Sequence, residues 1–324
     1  MTVVDPASCR ACFVQLADVP VFTLTGDDVR RWTNGMFTNN TRRLKPGQGN
    51  RHCACDDRGR IQGVLDLYFL ADDKVALVLE GMTLEAFMAR YRMYLMLDDI
   101  ELDDEDDPPL VLTLQGPDTA AVLAAAGLAF PEQAHGHVEV GGDPFTSADG
   151  LRVCRKDRTG LGGVDLLCGR DRLAEVVASL EAAGARAISA DELDALRVVG
   201  GRAAWPVDGT DKSMVHELRL NEECCAFDKG CYVGQEILNR IDVKGAITKR
   251  LTQLRLSGSV GVGAEVSLDG RVIGTVSSRA TLASGDELAL AVVRKAAWAP
   301  GTVVKVADGN ARIDAVVVEP SAAG

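Results

Sequence analysis

The stretch FDKGCYVGQEILNR (227–240) sets a thiol, Cys231, between a glycine and an aromatic ring, two residues after Lys229. The apolar spacing that follows predicts a helix over 233–241. A thiol near a helix N-terminus and a lysine has physical reason to ionise and act as a nucleophile. The competing reading is a small hydrophobe packed under the turn, common for free cysteine, and the residues leave both open. Gly230 and Gly234 allow close backbone approach, and Gln235 and Glu236 are placed to fix the turn through side-chain hydrogen bonds. Over 227–255, Lys229, Arg240, Lys244, Lys249, Arg250 and Arg255 stand against Asp228, Glu236 and Asp242, a local +3 in a chain of net charge −12. Local positive charge in an acidic protein suits an anionic small ligand.

Other reactive residues carry weaker signals. Cys9 and Cys12 have zinc-like or redox-like spacing, and Cys53, Cys55, Cys224 and Cys225 add thiols. No second C-x-x-C accompanies the first, so a metal carrier built from Cys9, Cys12, Cys53 and Cys55 is the weakest of the readings weighed here, and no metal ligand set is assigned. The acidic run 98–107 lacks the ordered spacing of a calcium loop and reads as a solvated connector. His52, His135, His137 and His216 are scattered, and no P-loop, dinucleotide fingerprint or serine elbow is present.

Elements of ordinary kinds must hold these residues. A length of 324 residues points to two or three domains, and 47% hydrophobic residues with 25% charged is the composition of a chain that buries a core. The acidic balance argues against a general nucleic-acid binder. The N-terminal sequence lacks a charged start with an apolar run, and no span reaches membrane length. Nine cysteines in that setting read as reduced thiols in a cytoplasmic protein. Strands are predicted at 19–26, 60–70, 74–80, 151–156 and 164–168, with helices after Asp28, over 83–96 and over 171–184. The segment 110–127 reads as strand, Gly-Pro turn and helix. Helices and strands mix without a βαβ rhythm, which argues for an α+β fold. Past 245, short β-branched runs joined by turns such as Asp269-Gly270 and Asp308-Gly309 predict a small all-β barrel or sandwich.

KGCYVGQE (229–236) resembles the signature K-G-C-[FY]-x-G-Q-E of the folate-binding YgfZ-type proteins, a branch of the glycine-cleavage T-protein (aminomethyltransferase) superfamily. Further segments resemble that superfamily: VFTLTGDDVRRWTNGMFTNNTRRLKPGQG (21–49), LTLQGPDTAAVL (112–123), RTGLGGVDLLC (158–168), ALRVVGGR (195–202) and VGAEVSLDGRVIGTVSS (262–278). The resemblance implies a three-domain fold around a central folate channel, with units at 1–110, 111–244 (carrying the KGCYVGQE motif) and 245–324, part of the middle segment completing the first. It implies tetrahydrofolate, or a one-carbon-substituted folate, as ligand, and a role in iron–sulfur cluster assembly or repair with iron–sulfur or cluster-assembly proteins as partners. Neither nucleic acid nor membrane is an implied partner. The alternative is a tetrahydrofolate-dependent aminomethyltransferase or demethylase. Cys231 and Lys229 would carry activity. Asp165 would hydrogen-bond the pterin edge, Arg250 would hold the anionic tail or be a solvated strand-end charge, and Gln235 would support the site. Tyr232 and Trp32 would stack on the ring or belong to the core, and Arg197 would bind ligand or form an internal ion pair.

The chain also departs from the T-protein pattern. VALVLEGMTLEAFMARY (75–91) contains neither the Asn-Ala nor the Lys-Asp of the stretch that carries the T-protein aspartate. Leu161, Asp165, Val199 and Asn40 stand where the superfamily's motifs place glutamate, glutamate, glutamate and aspartate. Their loss or shortening weighs against general acid–base help in aminomethyl transfer.

Overall fold

The computed structural model describes residues 2–103, 107–245 and 247–320. Three sheets organise the chain. The first is antiparallel and contains Gly49–Cys55, Ile61–Phe69, Lys74–Glu80, Val21–Thr25 and Glu101–Asp103, in that spatial order. Ile61–Phe69 is buried on both faces, because one face meets helices and the other meets the second sheet. Helices Val29–Met36 and Leu84–Leu95 cover the outer face with Trp32, Phe87, Tyr91 and Leu95. The second of these starts where the Thr83 hydroxyl accepts from the Ala86 amide at 3.1 Å, an N-cap, and it buries Phe87, Tyr91 and Leu95 at four-residue spacing.

The second sheet runs Arg186–Ala187, Cys12–Leu16, Leu110–Gln115, Gly163–Cys168, Leu151–Arg155, His137–Val140. Helices Thr119–Ala125 and Leu173–Ala182 cover its outer face through Val122, Leu123, Val176 and Leu180. The inner faces of the two sheets meet through Tyr68, Ala76 and Val78 of one and Val111, Cys154 and Leu167 of the other. Strands Lys249–Leu256, Glu265–Leu268, Arg271–Leu282, Glu287–Arg294, Val303–Asp308 and Ala311–Val318 close on themselves as a six-stranded barrel, since Arg271–Leu282 pairs with both Glu265–Leu268 and Glu287–Arg294. At Asp269-Gly270 both φ values are positive (+50° and +76°), the backbone of a tight hairpin turn. The α+β architecture and the C-terminal barrel agree with expectation.

The boundaries at 110 and 244 do not follow the sheets. Cys12–Leu16 pairs with Leu110–Gln115 in the second sheet, and Val3–Val4 pairs with Thr281 and Leu282 of the barrel. Helix Ala190–Val199, capped by a reciprocal Ser189–Glu192 box, packs Ala195, Leu196 and Val198 against barrel residues Leu251, Ala280 and Leu290. Cys9 and Cys12 lie side by side in that same apolar cluster, with Cα atoms 5.5 Å apart. Cys53 and Cys55 lie in a different cluster, so the four cysteines of the carrier reading do not converge. Residues 104–106 of the acidic run lie outside the described residues. No helix among the described residues is long and apolar enough to cross a membrane.

Candidate functional site

The KGCYVGQE segment docks on the first sheet's helix layer. The Val233 amide donates to the Gly35 carbonyl at 3.1 Å and the Ala226 amide to Thr38 at 3.0 Å. Gly234 has φ +83°, and a Cβ there would sit 2.6 Å from the Asp56 carbonyl oxygen, so only glycine permits this approach. The helix begins at Gln235, four residues after Cys231. The Lys229 ammonium donates to the carbonyls of Asn34 (2.7 Å), Phe37 (2.5 Å) and Asn39 (2.6 Å), which cap the C-terminal end of Val29–Met36. It also lies 4.5 Å from the Tyr232 ring centre. Burial lowers the Lys229 pKa to about 7, with Cys225 opposing and Arg42 adding to the shift. Lys229 thus anchors the loop instead of facing the thiol. Gln235 Nε2 donates to the Lys229 carbonyl at 3.3 Å, tying the turn as expected. Tyr232 is core, beside Cys53, Cys224 and Leu238, and Trp32 is core against Phe37 and Tyr91. Cys231 is exposed, unlike any other free cysteine among the described residues.

A cavity of about 650 Å³ opens elsewhere, between the first two sheets and helix Ala190–Val199. Its floor carries Arg51 and Glu80 from the first sheet and Lys156 and Arg158 from the loop after Leu151–Arg155. Its walls include Leu193, Trp205, Leu218 and Leu220, and Pro320 follows the last barrel strand there. Of the ligand residues expected from sequence, Arg197 alone lines it. Arg197 is fully engaged: Nη1 to Asp208 at 2.7 Å, Nε to Asp194 at 2.7 Å and Nη2 to the Ser278 hydroxyl at 2.8 Å. This is the internal ion pair of the two readings. Arg250 stacks on Trp298 (4.7 Å to the ring centre) at the barrel, and burial with Arg219 nearby lowers its pKa. Asp165 is held by Arg158 through both oxygens, at 2.9 Å and 2.6 Å, and is not on the cavity wall. It is therefore already paired where a pterin contact was expected.

Sequence reasoning missed the charged set beneath this cavity. Arg51 and Asp66 face each other across neighbouring strands and pair at 2.9 Å; Lys156, only 2% exposed, reaches Asp66 at 2.8 Å. Arg51 also binds Glu80 at 2.7 Å, and Arg158 lies 3.7 Å from the same Glu80 oxygen. Burial alone would raise the Asp66 pKa, but Lys156 and Arg51 more than offset it and hold the carboxyl well below the usual range. Glu80 is likewise lowered: burial opposes, and Arg51, Lys156 and Arg158 prevail. Three cations and three carboxylates thus neutralise one another, which makes their burial tolerable. The available signal was a charge inside an apolar run, Asp66 in VLDLYF and Glu80 closing VALVLE. Among the described residues, no group of three or more His, Cys, Asp or Glu is placed to hold a metal.

The fold matches aminomethyltransferase T of the glycine cleavage system from Bartonella henselae with a TM-score of 0.83, at 20% identity, over 96% of this chain and 85% of that one. A chloroplastic protein of Arabidopsis thaliana is 23% identical over 301 residues, 91% of this chain and 68% of its own. An aminomethyltransferase of Stenotrophomonas maltophilia is 25% identical over 229 residues, 69% of this chain and 61% of its own. Residues 10–229, more than half of the chain, match the GCVT N-terminal domain, and the chain belongs to that family.

Proposed function

We propose that this protein binds a reduced folate in the central cavity and serves folate-dependent one-carbon transfer of the aminomethyltransferase kind. The observation that carries the reading is the cavity itself, bounded by residues of the first two sheets, helix Ala190–Val199 and Pro320 just past the last barrel strand. Its volume of about 650 Å³ lies within the range of small-molecule sites, roughly 300–1,000 Å³. Apolar walls (Trp205, Leu193, Leu218) suit a flat ring, and Arg202 and Arg219 on the same wall suit an anionic tail. When bound, tetrahydrofolate supplies the nitrogen that accepts a one-carbon unit. The carboxylates on the cavity wall are mostly paired: Glu80 with Arg51, Asp157 with Arg202 at 2.8 Å, Asp194 with Arg197. The chain's own contribution is accordingly to orient the ligand, exclude water and supply fixed charge. Calorimetric titration with tetrahydrofolate, followed by assay of methylenetetrahydrofolate formed from aminomethyl or N-methyl donors, tests this. Product with any donor supports transfer, and its absence across donors sinks it.

The exposed Cys231 favours a second reading. Here the chain is a YgfZ-type accessory protein of the cytoplasm that presents this thiol to iron–sulfur or cluster-assembly proteins. Cys231→Ala would then lower cluster-enzyme activity in cells that depend on the chain while leaving folate affinity intact. Unchanged cluster-enzyme activity would sink this reading.

A further inference from the structure

Helix Leu84–Leu95 is apolar on two faces and covered on one. Phe87, Tyr91 and Leu95 pack into the core of the first sheet. Ala86, Ala89, Met93 and Met96 lie on the opposite side, within an arc of about 80° at 3.6 residues per turn, and all four are exposed. Met96 continues the helix: its φ and ψ are −70° and −19°, and its amide donates to the Arg92 carbonyl at 3.0 Å. Met93, Met96 and Leu97 are 70%, 72% and 77% exposed, and Tyr94 beside them is 48% exposed. A helix apolar all round is ordinarily buried all round, so this outer face lacks its cover.

The positions 86, 89, 93 and 96 repeat at the three-and-four spacing of a coiled-coil seam, which is filled by another helix. We infer that the cover is the same helix of a second copy of this chain, crossing antiparallel. Antiparallel pairing opposes the two kinds of seam position, so Ala86 meets Met96 of the second copy and Ala89 meets its Met93, and the two-fold axis repeats both contacts. Each of the four layers then sets a small side chain against a long, adaptable one, as close packing requires. A parallel pairing would set alanine on alanine and methionine on methionine. Charge agrees with the antiparallel register. Glu85 and Arg92 flank the seam one heptad apart, both are exposed, and neither has an ion-pair partner among the described residues. Glu85 then faces Arg92 of the second copy, twice per dimer. Arg90, near the two-fold axis, is turned to the Cys55 carbonyl at 2.7 Å. The same register brings the positive N-terminal end of one helix toward the exposed Asp99 of the other. Asp99, Glu101 and Asp103, all exposed beside this face, do not suit an anionic lipid surface.

Sedimentation velocity of the full chain over a wide concentration range tests the inference. So short a seam lies at the low end of specific interfaces, below about 1,200 Å² in total, and a dimer Kd of roughly 10–100 μM is expected. Met93→Lys should raise that Kd at least about tenfold. Glu85→Arg and Arg92→Glu each place like charges in both flanking contacts and should each raise it about three- to tenfold, while the double variant returns close to wild type. All three side chains are exposed, and the rescue in the double variant is a result that misfolding does not imitate. Wild type that stays monomeric up to about 1 mM overturns the inference. So does wild type that binds phosphatidylcholine vesicles through Met93 without dimerising, because the face then serves a membrane. A dimer untouched by Met93→Lys lies on another surface and overturns it as well. A double variant weaker than both singles refutes the antiparallel register, and the inference falls with it.

Discussion

Replacing Asp66 by asparagine should cost more than replacing Asp66 and Lys156 together. Lys156 lies 2.8 Å from Asp66 and both side chains are 2% exposed. At an effective dielectric of about 20 the pair attracts by roughly 6 kcal/mol, set against a desolvation penalty of several kcal/mol per ion. Asp66→Asn removes the attraction and keeps the penalty, leaving Lys156 without its carboxylate while Arg51 retains Glu80. The expected loss is about 3–5 kcal/mol. With an unfolding entropy of about 2.1 cal/mol/K per residue, that lowers Tm by about 4–7 °C. Adding Lys156→Met removes the stranded cation and should restore about 2 kcal/mol. Urea unfolding of the four proteins in the cycle decides it. An Asp66→Asn loss below about 1 kcal/mol, or a double variant as weak as the sum of the singles, would refute the reasoning.

Further outcomes follow from other sites. His137 is buried against Arg152 and the Phe69 carbonyl, and burial first, then Arg152, lowers its pKa to about 4. Its unfolded form, with the ordinary value near 6.5, binds more protons between those limits. Stability should therefore fall as pH drops from 6.5 to 4, by up to about 3 kcal/mol, and His137→Gln should flatten the slope measured by urea titration. Gly234→Ala should cost about 1–3 kcal/mol through the left-handed φ and the clash with Asp56, with amide exchange at Val233 speeding up. A brief maleimide pulse on the native protein should label Cys231 ahead of every other thiol, and Cys231→Ala should remove most of the label; mass spectrometry of the labelled peptides checks both.

Local signals carried much of the architecture. The strand over 74–80 and the helix opened by Thr83 are set by alternation, four-residue spacing and a cap, all readable along the chain. Gly49–Cys55, rich in polar residues, becomes a strand because Ile61–Phe69 pairs with it, and Cys12–Leu16 because Leu110–Gln115 does. Those are tertiary decisions that override propensity. The Ser189–Glu192 capping box opens the helix that docks the barrel, an element absent from the helices predicted above. For the site, the motif revealed a glycine-dependent turn but not the direction of Lys229, whose three carbonyl partners are some 190 residues earlier in the chain. Asp165 was a reasonable pterin ligand until Arg158, seven residues away, proved to occupy both of its oxygens.

The short strand Val3–Val4 has a consequence for how the molecule is made. Its ladder partners, Thr281 and Leu282, leave the ribosome some 280 residues later. Cys12–Leu16, by contrast, meets Leu110–Gln115 only about a hundred residues on. Vectorial folding can thus assemble both sheets first, with the opening residues waiting as an unpaired edge until the barrel emerges. Pairing of that edge then waits on the barrel, and the delay costs little closure entropy because that term grows only logarithmically with loop length.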